Sequence, residues 1–355
     1  MAEHQIIDFT VFRAPRPATR QGFPHVHLVD GISLDGDVFR TYDSASADAI
    51  DDDLDDGYVN AHTVKAVKAA WANGAKQLHI GRVDTGGAQT YAQARAAVVA
   101  AGLKGYFWTT DTRVDATVSG FGVDNEARRS LYIAQNASAD LLTTGWPAAL
   151  STIQNFERTA ICYHDIATEV YDVALTAAAG GPNPDNFSPQ WMQDLKSVLS
   201  YTTSLSDTQA NFAKANYANL MQPFENQTDF FSAFGLNCAG RPIYEIVTED
   251  WLVQRVREDV AARMIYMLTT LKRKFPLDDE GQGIIQGIIA SRFEQGEGTH
   301  FKSGQIYFEP IALTQQQIDD GVLRAFQAFI TLLSGTRTVQ IPIAFTRTDV
   351  IMEDF

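Results

Sequence analysis

Apolar positions between residues 58 and 163 repeat with two periods that take turns, one helical and one of strand type. "YVNAHTVKAVKAAWANG" spaces its apolar residues as a helix does and closes at Gly74, and "KQLHIGRV" follows as a strand from about 77. "AQTYAQARAAVVAAG" reads as an Ala-rich amphipathic helix ending at Gly102, and "KGYFWTT" as a strand from about 104. A helix and the strand "SLYIAQN" come next, then a short helix in "TGWPAALSTIQ" and the strand "RTAICYHD". Strand starts near 77, 104, 130 and 158 lie 27, 26 and 28 residues apart, the length of a strand, a crossover helix and two loops. That alternation predicts an α/β fold, a parallel sheet with helices on its faces. Upstream, "HVHLVDGI" (25–32) reads as a strand ending in a turn. "DSASADAIDDDLDDG" (43–57) reads as acidic and turn-rich.

After residue 165 the rhythm breaks. "GGPNPDNFSP" is a loop, "WMQDLKSVL" a strand or short helix, and "SDTQANFAKANYAN" a helix with an N-cap at Ser206 or Asp207. "LMQPFENQTDFFSAFGLNCAG" reads as a short meander. Residues 248–274 carry the strongest helical pattern, with Leu252, Val256, Val260, Met264, Met267 and Leu271 on one stripe. Thr248 is its expected cap, Glu249 and Asp250 its acidic first turn, Lys272, Arg273 and Lys274 its basic last turn, and Pro276 its stop. A second helix is expected over 278–295, then a strand "GQIYFEP", a helix "LTQQQIDDGVLRA", and a β-hairpin through "QAFITLL-SGT-RTVQIPIAF". The predicted organisation is an extended N-terminal arm (1–20), an α/β domain (21–165), a second helix-and-hairpin part of the core (166–335) and a C-terminal strand arm (336–355).

The two ends share a character. In the last strand Val339, Ile341, Ile343 and Phe345 alternate with Thr338, Gln340, Pro342 and Ala344. In "HQIIDFTVFRAPRP" the apolar residues Ile6, Ile7, Phe9, Val11 and Phe12 precede Pro15 and Pro17, which favour an extended exit. A free strand carries unpaired N–H and C=O groups that complete a neighbour's sheet. About six backbone bonds at roughly 0.5–1.5 kcal/mol net each would add several kcal/mol. Burial of Ile341, Ile343 and Phe345 would add roughly 1.5–3 kcal/mol each. Association entropy opposes this. Pairing of both arms within the same molecule accounts for the strand features equally well.

Composition narrows the function classes. The 355 residues are 45% hydrophobic and 20% charged, with a formal charge of −15. That sign opposes phosphate neutralisation, so no nucleic-acid partner is expected. No apolar run approaches the roughly 18–20 residues of a membrane span, and Glu3 and Asp8 stand where a secretory leader would be basic. Two cysteines make no disulfide framework, and the chain reads as a cytosolic product.

Motifs that could carry chemistry are few and incomplete. "GRVDTGG" sits between a strand and a helix, where a phosphate loop would be, without the lysine or the spacing of one. "DDDLDDG" resembles a calcium loop but places Asp56 where glycine is required and has no twelfth-position Glu; it reads as a solvated loop feeding the next helix. His25 and His27 share a strand face with no partner motif. In "CYHD", Cys162 and His164 end a parallel strand where α/β enzymes keep catalytic groups, which leaves a thiol or hydrolase-type enzyme as an alternative. They lack the strand-to-helix elbow that presents a nucleophile. No catalytic residue, metal or cofactor is expected.

The succession "LYIAQNASADLLTTG", "NFERTAICYHD", "GRPIYEIVTEDWLVQRVREDVAARMIYML" and "LTQQQIDDGVLRAFQAFITLLSGTRTVQIPIAF" resembles, in order, the tail sheath proteins of contractile phages and phage-like particles, over roughly residues 75–350. The resemblance implies a non-enzymatic structural subunit, stacked as hexameric rings around a tail tube, with arms exchanged between copies. It implies contraction that drives the tube through a cell envelope, and partners in the tube, baseplate and terminator proteins. A tube-facing helix would lie near 314–324, with Gln317, Asp320 and Arg324. The protein would reside in a particle tail assembled in the host cytoplasm. Another tail component, of baseplate or terminator type, is the alternative within the same class.

Overall fold

The computed structural model describes residues 23–180, 193–199, 201, 204–223, 230–233, 235–273, 275–276, 279–298, 301–308, 326–332 and 338–343. The expected rhythm is there. Strands β1 (His25–Asp30) and β2 (Phe39–Asp43) precede helices α1 (Asp48–Asp55) and α2 (Ala61–Ala72). β3 (Gln77–Val83), α3 (Tyr91–Ala100), β4 (Phe107–Thr110), α4 (Asp115–Glu126), β5 (Leu131–Asn136) and β6 (Thr159–Tyr163) follow. Local signals explain the boundaries. Asn60 caps α2 by accepting the Thr63 N–H, and Gly74 ends the turn beyond it at φ +97°. Thr90 and Gln93 form a reciprocal capping box on α3.

The chain continues through α5 (Tyr171–Gly180), a two-residue β7 (Gln193–Asp194), α6 (Asp207–Ala215), β8 (Ala218–Pro223) and β9 (Phe230–Ala233). Ser206 caps α6 in a second capping box, with Gln209. The nine strands form one sheet in the order β2-β3-β1-β4-β5-β6-β8-β9-β7. From β3 to β8 every pairing is parallel; β2, β9 and β7 join antiparallel. Because β8 pairs with β6, the sheet runs on past residue 165. The central strands β4, β5 and β6 are buried on both faces, as parallel strands covered by crossover helices must be. One face packs Val26, Trp108, Tyr132 and Ile161 against α3 and α4. The other packs Phe107, Ile133 and Cys162 against α5 and against α7 (Ile243–Thr269).

α7 departs from expectation at both ends. It begins five residues before Thr248, after Pro242, whose fixed φ suits a helix start. Thr248 is fully buried inside the helix, as are Val247, Trp251 and Leu252; the apolar sheet face below them recruits an extra turn that cap chemistry alone did not reveal. The helix ends at Thr269, so Lys272 and Arg273 come after it instead of forming its last turn. The acidic 43–57 segment is likewise corrected: α1 is a helix, because Ile50 is buried against the core and Asp48 and Asp51 favour its first turn. α8 (Asp279–Gly296) returns along α7 and buries Ile285, Ile289 and Phe293.

β10 (Phe301–Phe308), β11 (Phe326–Leu332) and β12 (Thr338–Ile343) form a separate antiparallel sheet in that order. The hairpin expected near the end of the chain is β11–β12, with Ile341 opposite Ala328 and Val339 opposite Ile330.

Candidate functional site

The C-terminal edge of the parallel strands is the usual ligand crevice of such a sheet, where strand order reverses between β1 and β4. Here the protein's own carboxylates occupy it. Asp111 at the end of β4 accepts the Asp30 N–H at 3.1 Å and the Tyr91 hydroxyl at 2.5 Å. Asp30 accepts the Thr85 hydroxyl and amide. In the "GRVDTGG" loop the Asp84 side chain accepts the Gly87 N–H at 2.9 Å. Carboxylates thus hold the amides that a phosphate would need. Burial raises the Asp111 pKa, and burial beside that carboxylate raises the Tyr91 hydroxyl's.

The Cys162–His164 pair does not assemble a nucleophile. Cys162 is fully buried among Ile133, Ala160 and Tyr171, and burial holds its thiol well above the ordinary range. His164 Nδ1 accepts the Ile166 N–H at 3.1 Å, which makes Nε2 the donor to the Leu199 carbonyl at 2.8 Å. Both ring nitrogens are committed to main chain.

Other polar residues also serve the fold. Asp53 of the acidic helix accepts Arg40 at 2.6 Å and the Tyr42 hydroxyl at 2.5 Å, while Asp51 accepts Lys68. Among the described residues no group of three or more His, Cys, Asp or Glu is placed to hold a metal ion. His27 bonds the Thr109 hydroxyl through Nδ1 at 2.9 Å and faces His62 through Nε2 at 3.3 Å. His25 stacks on Phe107 with 4.8 Å between ring centroids, and neither of its nitrogens has a partner. Burial pushes the pKa of His25 down to about 3 and of His62 to about 4, and lowers that of His27.

One group escaped the sequence reading. Asp250, in the first half of α7, accepts Arg158 at 2.6 and 3.0 Å and the buried Tyr106 hydroxyl at 2.8 Å. Arg241 beside it reaches Glu157 at 2.7 Å and Glu249 at 2.8 Å. This network fastens α7 to the sheet. Its members are up to 144 positions apart, and no local pattern links them.

The remaining surface of interest is the three-stranded sheet. β12 pairs with β11 of its own chain, so Val339, Ile341 and Ile343 are not on a free strand. β12 is nonetheless a sheet edge, and no described strand pairs with its outer side. Pro342 inside it suits an edge, since proline donates no ladder bond. Ile6, Ile7, Phe9, Val11 and Phe12, the residues Gln317, Asp320 and Arg324, and Phe345 lie outside the described residues.

No family model matches the chain, and no curated protein matches it in sequence. Solved structures do. A chain of the anti-feeding prophage helical sheath in its contracted state overlaps 93% of this chain and 96% of its own, with a TM-score of 0.59 at 11% identity. The contracted PVC sheath complex of an extracellular contractile injection system overlaps 95% and 92%, with a TM-score of 0.55 at 14% identity. A sheath tail protein from Listeria innocua overlaps 72% of this chain and 59% of its own, with a TM-score of 0.53 at 10% identity. The chain has the contractile tail sheath fold. The overlap with the first two sheath structures is nearly end to end, so the fold is shared as a whole and not through one common α/β unit. A chain of the anti-feeding prophage baseplate shares it too, over 87% of this chain and 89% of its own, with a TM-score of 0.60 at 12% identity.

Proposed function

We propose that this protein is a structural subunit of a contractile sheath. Copies stack as hexameric rings around a tail tube, neighbours are joined by β-strand pairing, and the array contracts to drive the tube through a cell envelope. The observation that carries this reading is the near end-to-end overlap with sheath chains of two contracted particles. Two features of the chain support it. Its best enzymatic pair is sealed and committed to main chain. Its last described strand is a sheet edge set apart from the nine-stranded sheet.

In this reading the outer edge of β12, around Val339, Ile341 and Ile343 and on to Phe345, takes a strand from a neighbouring copy. The N-terminal arm, through Ile6, Ile7, Phe9, Val11 and Phe12, supplies one. The segment with Gln317, Asp320 and Arg324 faces the tube. Baseplate and terminator proteins close the two ends of the array, and the particle tail is where the protein works. Helices of the described residues include none long and apolar enough to cross a membrane. A copy dedicated to the baseplate is a second reading, favoured by the overlap with a baseplate chain.

Electron microscopy of the purified full-length protein, concentrated alone and with its tube protein, tests the reading. Helical tubes or stacked rings are expected. Single rings that never stack would move the assignment to the baseplate. A chain that stays monomeric with and without the tube would refute assembly.

A further inference from the structure

His27 and His62 join the first turn of α2 to β1 through a contact unlike the other polar ties of the fold. Nε2 faces Nε2 at 3.3 Å, with 5.4 Å between the ring centroids. Two such nitrogens share one proton, and the neighbours decide which ring holds it. The Thr109 hydroxyl lies 2.9 Å from His27 Nδ1 and 3.5 Å from the Val26 carbonyl, so it donates to the carbonyl and accepts the Nδ1 proton. Nε2 of His27 is then the lone-pair nitrogen, and His62 donates its Nε2–H to it. His27 is fully buried and His62 half-buried.

The surroundings are poor for a further positive charge. The Arg113 guanidinium acts on both rings and the Lys65 ammonium on His62, with Glu169 as the opposing carboxylate. The nearby carboxylates are already taken. Glu169 accepts Lys65 and the Leu199 N–H, the latter at 3.1 Å, and Asp172 accepts Arg113 at 3.2 Å. An added proton finds Nδ1 of His62 first, which makes an imidazolium beside two cations. A second goes to Nε2 of His27 and sets N–H against N–H.

The two sides of the contact are held unequally. β1 pairs through its main chain with β3 on one side and β4 on the other. α2 has no ladder to the sheet. Asn73 fixes its far end to the Lys196 main chain at 2.8 and 2.9 Å, while its first turns rely on His62 and on the Lys65–Glu169 pair for polar ties. The start of α2 is the side that can yield.

We propose that His27 and His62 form an acid-released latch, in which proton uptake frees the first turn of α2 from β1 while the strands stay paired. The joint lies within one chain, so its behaviour does not depend on the sheath reading.

Hydrogen exchange in the full-length protein, corrected for intrinsic rates, tests this between pH 7 and 5.5. α4 lies on the other face of the sheet and reports global opening. With a pKa of about 4 in the latch and 6.5 once released, His62 makes opening about 8-fold more frequent at pH 5.5 than at pH 7, and His27 adds to that. The amides of Thr63, Val64 and Lys65 are therefore expected to lose at least about 8-fold more protection than those of α4. His62→Gln can donate the same bond without titrating, and is expected to cut that excess by about 8-fold. Parallel losses in α2 and α4 of the wild type overturn the latch, as does an unchanged excess in His62→Gln. Far-UV circular dichroism verifies the variant's fold, and the wild-type comparison decides alone if the variant does not fold.

Discussion

Asp250 and His25 show how differently two buried polar residues are handled. Asp250 is satisfied on both oxygens, by Arg158 and Tyr106. Asp250→Ala leaves a guanidinium and a buried hydroxyl without their partner, so we expect a loss of about 3–5 kcal/mol in urea unfolding. A change below about 1 kcal/mol would mean that the network adds little to the α7–sheet joint. His25 is the opposite case, buried with both nitrogens unpaired. Its folded pKa of about 3 lies below the ordinary 6.5, so the unfolded chain binds more protons between those values. Proton uptake at His25 therefore takes nothing from stability above pH 6.5 and lowers it increasingly as pH falls from there toward 3, on top of the pH-independent cost of its two unpaired nitrogens. His62 and His79, both lowered to about 4, act in the same direction. His25→Phe keeps the ring against Phe107, so it is expected to hold stability at pH 7 or raise it by about 1 kcal/mol. Its urea midpoint should fall less than the wild type's between pH 7 and 5. Parallel losses in the two proteins would contradict the assignment.

Between α7 and α8 the chain turns where backbone approaches backbone. A Cβ on Gly281 would lie 1.9 Å from the Pro276 carbonyl oxygen, a clash that no rotamer relieves. Gly281→Ala should destabilise by about 1–3 kcal/mol and speed hydrogen exchange across α8 before it affects β4–β6. Gly283, two residues on, has nothing within 4 Å of its would-be Cβ. Gly283→Ala should therefore stabilise by about 0.4–1 kcal/mol by restricting the unfolded chain. Equal effects at the two sites would remove the steric account. The pair separates a glycine required by packing from one that is tolerated, a distinction invisible in "DDEGQGIIQGII".

For the whole molecule, the division into a nine-stranded sheet and a three-stranded one sets what can be removed. The larger sheet owns its core on both faces and takes no strand from the smaller. Deleting residues 336–355 removes β12 and the segment after it. We expect the nine-stranded sheet to keep its cooperative thermal transition, while electron micrographs lose any tubes or rings. Persistent assembly after the deletion would mean that the C-terminal edge is not a joint between copies. Loss of the fold itself would mean that the two sheets stand or fall together.

The order of elements was legible in the chain because its causes are local. Helical and strand periods alternate at about 27 residues, Gly74 and Gly102 close turns at positive φ, and Thr90 and Ser206 cap the helices that begin beside them. The interleaving of β1 between β3 and β4 was not legible, nor were the five extra residues of α7, the helix in 48–55 or the Asp250 network. Each depends on which distant surface a segment meets. Thr248 looked like a cap because a threonine before two acids has that chemistry; it became a buried helical residue because the sheet face beneath α7 had apolar area left to cover. The "CYHD" stretch drew attention through residue type alone, and only packing revealed a sealed thiol and an imidazole held by main chain at both nitrogens. Periodicity and capping are properties of a chain and its nearest neighbours along it. Burial, pairing order and the company a side chain keeps arise when surfaces far apart in sequence exclude water together.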